Sequence, residues 1–257
     1  MTTSLRRTLT HPRWILAVAV GLLFTGLFVR LGIWQLDRLE ERRATNAIIE
    51  DRRASETRPF DALVGQYGMD ADILSHRPAV VTGTFVADAE IFSIGRTEGD
   101  NHGTLIATPL ELSDGSWMIV VRGLVPSDTP GPPAASYAPP TGIVEVFGHL
   151  DDGESPLPIG EPDPDGGIVT SVARIDLAYL DKWMGPNVLP VSLVAHDRGT
   201  DDPRAPIPLT PVELTEGRHL GYAVQWFAFA AIVVVGVAAL IWRASRSQDV
   251  VSEIDEA

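Results

Sequence analysis

The chain has 257 residues, of which 34 are acidic and 20 basic; the formal net charge is −14 and cysteine is absent. An acidic surface repels phosphate backbones, which excludes a nucleic-acid partner. The missing thiols exclude disulfides, thiolate nucleophiles and cysteine metal sites.

The first apolar run spans residues 14–29 without a formal charge and resumes at 31–36 after Arg30. This length predicts a membrane-spanning helix with Arg30 snorkelling to one interface. Arg6, Arg7 and Arg13 ahead of an apolar core also suit a signal peptide. The run is longer than a signal core of roughly 7 to 15 residues and no small-residue cleavage motif closes it, so an uncleaved anchor fits better. Residues 38–53, dense in Arg and Glu, should continue the helix out of the membrane. Residues 59–75 are expected to give a short helix and loops.

From Arg77 the pattern changes to β-branched and aromatic residues broken by turn signals. Strands are predicted over 80–86, 91–96, 104–112, 117–125 and 143–150. Asp114-Gly115 suits a tight hairpin, so its flanking strands should pair antiparallel. Residues 127–141 and 151–167, rich in Pro, Gly and Asp, read as exposed and poorly ordered loops. A short amphipathic helix over 175–184 and a last strand over 188–195 follow. Residues 197–213, with four prolines, read as a semi-extended tether.

The second apolar run, 220–242, is 23 residues without a charge. At about 1.5 Å per residue it reaches roughly 35 Å, enough to span a bilayer. Arg243 and Arg246 follow it, against Arg218 before it, which favours a cytoplasmic C terminus. Two spans then put both termini in the cytoplasm. The expected organisation is a cytoplasmic tail (1–12), a first span (13–35), an extracytoplasmic domain (36–218), a second span (219–242) and a cytoplasmic tail (243–257), its end from 249 acidic and disordered. The fold class is α+β: two transmembrane helices flanking a mainly antiparallel β domain, a meander or a partly closed barrel, with short helices.

His219 stands at the mouth of the second span, and Tyr222, Ala223 and Trp226 follow at spacings of three, four and seven, on one helical face. An imidazole among flat rings suits a porphyrin, which packs on the aromatics while the ring nitrogen ligates iron. The same residues also suit an aromatic belt at the headgroups. On the first helix Arg30, Trp34, Arg38 and Arg42 recur every four residues, so that arginines could pair haem propionates or lipid phosphates. His76, His102, His149 and His196 match no zinc or copper spacing and read as solvated or structural. Arg122, on an otherwise apolar strand, needs a buried carboxylate or carbonyl partner.

Three segments carry a resemblance. Leu31 to Arg38 reads Leu-Gly-x-Trp-Gln-x-x-Arg, Val121 to Pro126 reads Val-Arg-Gly-Leu-Val-Pro after Thr108-Pro109-Leu110, and His219 to Phe227 reads His-Leu-x-Tyr-Ala-x-x-Trp-Phe. Together they resemble the surfeit locus family of cytochrome oxidase assembly factors, over both spans and the domain between. Leu124 departs from the family's usual Trp, and Arg218 from an asparagine common before the histidine. The resemblance implies an assembly factor for the aa3-type haem-copper cytochrome c oxidase that binds haem A and assists its insertion into oxidase subunit I. On that reading His219 ligates the haem iron, Tyr222, Trp226 and Trp34 line the ring, and Arg38 or Arg42 takes a propionate. Oxidase subunits, haem A synthase and a respiratory supercomplex become the implied partners, beside membrane lipids. The alternative is a haem-free accessory subunit or scaffold of the oxidase or its supercomplex. No nucleophile elbow, phosphate loop, paired-His motif or carboxylate pair stands out, so an enzyme is not expected.

Overall fold

The computed structural model describes residues 11–156, 158–185, 187–196 and 205–255, with side chains in the last helix as far as Arg246. The expected tail over residues 1–10 and residues 197–204 of the tether lie outside these. In chain order the first elements are α1 (Pro12–Arg53), β1 (Arg58–Pro59), α2 (Phe60–Tyr67), α3 (Ala71–Leu74), β2 (Pro78–Phe85), β3 (Ile91–Glu98), β4 (Asn101–Glu111) and β5 (Trp117–Pro126). Then come β6 (Ile143–Asp151), β7 (Ser171–Val172), α4 (Leu177–Met184), β8 (Ser192–Ala195) and α5 (His219–Asp255). The chain divides into two units, one formed by residues up to Ala47 with those from Leu214 onward, the other by Ile48–Glu213.

In the first unit, α1 and α5 are each long and apolar enough to cross a membrane. Large apolar side chains such as Leu16, Leu22, Leu23, Val224, Ile232 and Val235 stay exposed, so the helices are apolar on their outer faces too. That all-round pattern is the one a hydrocarbon environment selects. Small residues form the seam between them: Ala223 and Ala230 are buried, and a Cβ on Gly21 would stand 2.8 Å from Val237 Cγ2. Small side chains let two backbones approach closely where no hydrophobic drive from water acts. Phe28 stacks on Trp226 with centroids 5.6 Å apart, and Phe229 packs edge-on against the same indole at 5.8 Å. The α5 backbone stays helical to Asp255, into the segment expected to be disordered.

In the second unit the strand order is β1-β2-β6-β8-β5-β4-β3-β7, and β2 also pairs β4 at Thr84↔Glu111 and Phe85↔Leu110. Five strands, β2-β6-β8-β5-β4, thereby close into a barrel. Gly83 permits the closure, because a Cβ there would lie 2.5 Å from the Glu111 carbonyl oxygen. Each barrel strand sends residues inward: Ala79 and Val81, Leu150, Leu193, Met118 and Val120, and Leu110 form one buried cluster that Phe60, Leu63 and Leu74 of α2 and α3 join. On the outside, Leu177 and Leu180 of α4 pack with Val172, Ile91, Leu105, Ile119 and Val121 in a second cluster. Asp176 starts α4 by accepting the Ala178 and Tyr179 N–H groups, both at 3.1 Å.

The expected antiparallel pairing holds for most of the sheet, and the partly closed barrel describes it better than a meander. Only β3-β4-β5 run as a meander; β1 pairs β2 in parallel, β6 crosses to β2, and β8 enters between β6 and β5, parallel to the latter. The Asp114-Gly115 hairpin forms as read, with the Asp114 carboxylate accepting the Ser116 N–H and hydroxyl at 3.0 and 2.6 Å. Both proline-rich loops are tied to the domain rather than free. Ala134 is buried with its N–H donating to Glu90 at 2.7 Å, and Glu154 pairs Arg96 while accepting the Ile175 N–H. The tether is docked as well: Ile207 and Leu124 exchange both backbone hydrogen bonds at 2.8 Å.

Candidate functional site

The site lies where Gln35 in the second half of α1 meets the N-terminal end of α5. Its centre is a contact between His219, the first residue of α5, and Gln35 of α1, with Nδ1 2.9 Å from Oε1. An amide oxygen only accepts, so the ring Nδ1–H donates. Gln35 is 9% exposed, in line with Gly32, Leu39 and Asn46 along the buried edge of α1. A Cβ on Gly32 would meet the Phe227 ring at 2.7 to 3.0 Å, which explains the glycine one turn below Gln35. The other ring nitrogen, Nε2, takes no hydrogen bond among the described residues. Gly217, with φ +70°, leaves the space beside it free of side chain: a Cβ there would lie 3.4 Å from Nε2.

Three further α1 side chains fasten the segment leading into α5. Arg43 holds Glu216 with two hydrogen bonds of 2.8 Å, while Arg42 Nε and Asn46 Nδ2 donate to the Thr215 carbonyl, each at 3.2 Å. The opposed charges raise the Arg43 pKa and lower that of Glu216 through their shared hydrogen bonds. Arg38 turns instead to its own helix and pairs Glu41 at 2.7 Å, both side chains more than half exposed. Such a pair contributes little and yields easily to a competing anion.

The six residues singled out in the sequence therefore separate. His219 bridges the two helices, Arg42 holds the segment leading into α5, and Trp226 packs into the seam on Phe28. Trp34 and Tyr222 stay 44% and 47% exposed, and Arg38 lies on the outer face of α1. Gln35 was missed, although it adjoins Trp34 in the first motif; helical spacing from Leu39 and Gly32 would have placed it on the seam. Among the external histidines, His149 Nδ1 lies 2.9 Å from His196 Nε2, and His102 meets the Thr97 hydroxyl at 2.9 Å. No group of three or more His, Asp or Glu side chains is placed to hold a metal ion among the described residues.

The middle motif serves the fold. The β4–β5 register slips between Ile106↔Gly123 and Ala107↔Val121, which makes Arg122 the extra residue of a bulge. Arg122 donates to Glu90 at 3.0 Å and to the Tyr137 carbonyl at 2.7 Å.

Residues 22–231, which hold both apolar helices in large part and the domain between them, match the SURF1 family. The chain belongs to the SURF1 family. A SURF1-like protein of Rickettsia bellii is 25% identical over 215 residues, covering 81% of this chain and 84% of that one. An uncharacterized SURF1-like protein of Mycobacterium bovis is 24% identical over 247 residues, covering 93% and 88%. SURF1 proteins are known in general as oxidase assembly factors, and in this SURF1 chain the first and last motifs meet at Gln35 and His219.

Proposed function

We propose that this SURF1-family chain is a two-span protein of the bacterial plasma membrane, its termini cytoplasmic and its β domain outside, that carries haem A to subunit I of an aa3-type cytochrome c oxidase. It acts as a carrier and assembly factor, without catalysing a reaction. Oxidase subunits and haem A synthase are its partners, and the respiratory supercomplex is the setting. The reading is supported most by one observation: at the start of α5, the Nε2 of His219 takes no hydrogen bond among the described residues.

The residues present fit the cofactor. Iron needs an imidazole nitrogen with space before it, and Nε2 lies beside Gly217, which carries no side chain. Tyr222 and Trp34 offer exposed flat surfaces for the macrocycle, and Trp226 stacks on Phe28 in the seam. Arg42 keeps donors beyond the Nε it gives to Thr215, and Arg38 can exchange Glu41 for a propionate. Haem would supply the iron and the ring; His219 would ligate it, the aromatic side chains would line it and Arg38 or Arg42 would hold a propionate. The membrane reading is supported by two helices whose apolar surface is largely exposed and by Arg243 and Arg246 at the inner end of α5.

The test is to purify the chain from a host that makes haem A and compare it with His219→Ala. The wild type should hold haem A in near one-to-one ratio and the variant should lose most of it. Equal haem in both would remove His219 as the ligand. Copurification with mature oxidase at fixed stoichiometry and without haem would favour the accessory-subunit reading.

A further inference from the structure

We propose that Gln35 is the positioning residue of the haem site: its amide oxygen holds the Nδ1 proton of His219 and so leaves Nε2 bare for iron. This inference rests on the haem reading above and adds to it a second residue and a role.

The argument begins with the imidazole. A neutral ring carries its single proton on one nitrogen, and only the other nitrogen has a lone pair to give a metal. In water an unpartnered ring prefers the proton on Nε2, which would block ligation from that atom. Gln35 reverses the preference. Its carbonyl oxygen lies 2.9 Å from Nδ1, and accepting there requires the proton on Nδ1.

The contact also fixes the ring's direction. His219 is the first residue of α5, where the helix has no preceding turn to restrain a side chain. Gln35 is held in the buried edge of α1 by its helix, with Gly32 pressed to Phe227 below it and Leu39 buried above it. A ring tied to that fixed point presents Nε2 away from α1. Histidines that ligate metals typically donate the other ring N–H to a carbonyl or carboxylate, and losing that partner costs about 10- to 100-fold in affinity. Gln35 and Asn46 are the two buried amides on this edge of α1, and buried polar atoms need partners when water is excluded.

Two measurements on the full-length chain in detergent test this. In the haem-free protein with nitrogen-15 histidine, at a pH where the ring is neutral, His219 should show the proton on Nδ1, and Gln35→Leu should shift it toward Nε2. In the haem titration Gln35→Leu should weaken haem A binding tenfold or more. Gln35→Glu, which also accepts from Nδ1, should retain haem with a lower midpoint potential, since a carboxylate makes the imidazole a stronger donor. Thermal melting of each variant separates this from loss of fold. A wild-type ring with its proton on Nε2, or Gln35→Leu with unchanged tautomer and haem affinity, overturns the proposal. Equal losses in Gln35→Leu and Gln35→Glu would reduce Gln35 to packing and overturn it too. Failure of the wild type to bind haem, with the Nδ1 tautomer intact, would instead remove the haem reading beneath it and the assigned role with it.

Discussion

Arg122 and Glu90 form an ion pair at 3.0 Å with side-chain exposures of only 10% and 1%. The same Glu90 carboxylate accepts the Thr108 hydroxyl at 2.8 Å and the Ala134 N–H at 2.7 Å, so one buried acid joins β3, β4, β5 and the proline-rich loop. Burial lowers the Arg122 pKa, and Glu90 opposes that shift. Removing one partner leaves the other charge in the interior, which costs about 3–5 kcal/mol. Glu90→Gln and Arg122→Met should each lower the thermal midpoint strongly, and the double variant should recover part of the loss. Additive losses in the double variant would show that the two groups act separately.

Gly123 follows Arg122 with φ +136°, and a Cβ there would lie 2.4 Å from the Ile207 carbonyl oxygen. Gly123→Ala therefore meets both backbone strain and a collision with main chain that cannot swing aside. The expected cost is at least about 2 kcal/mol. Denaturant unfolding of the full chain measures it. A variant as stable as the wild type would show that Ile207 is not bridged to Leu124.

Acid should destabilise the domain over a defined window. Burial, then the His196 ring and the Arg53 guanidinium, lowers the His149 pKa to about 4, and burial also lowers His196 and His76. An unfolded histidine titrates near 6.5. Between about pH 6.5 and 4 the unfolded chain binds more protons than the folded one, so stability is full above the window and lost as pH falls through it. Allowing for the partial exposure of the histidine pair, the loss from His149 is about 1–2 kcal/mol. Urea midpoints at pH 7.5 and 4.5 should differ less for His149→Gln than for the wild type; equal differences would assign the acid response elsewhere.

The helix seam can be read directly, because the chain has no native cysteine to interfere. An ideal Cβ on Gly21 stands 3.7 Å from Val237 Cβ, close to the roughly 3.8 Å of a disulfide. Gly21→Cys with Val237→Cys should cross-link within one chain on mild oxidation. Gly26→Cys with Val237→Cys should not, since nothing lies within 4 Å of a Cβ at Gly26. Equal cross-linking of both pairs would indicate helices that slide or rotate freely.

By itself the sequence determined the elements whose signal is local. Two uncharged runs defined α1 and α5, β-branched stretches defined most strands, and Asp114-Gly115 defined its hairpin, because chain length, side-chain period and turn chemistry act over a few residues. It also supplied the motifs that carry His219 and the family. Only the tertiary structure decided which residues meet across long separations. It closed β2 on β4 at Gly83, gave Arg122 its partner Glu90, joined His149 to His196 and set Gln35 rather than Trp34 against His219. Those contacts depend on register and on which helical edge is buried, and a rotation of α1 by a single residue, about 100°, would replace Gln35 in the seam by its neighbour. The sequence thus names the imidazole, and the packing of two helices decides which of its nitrogens is free.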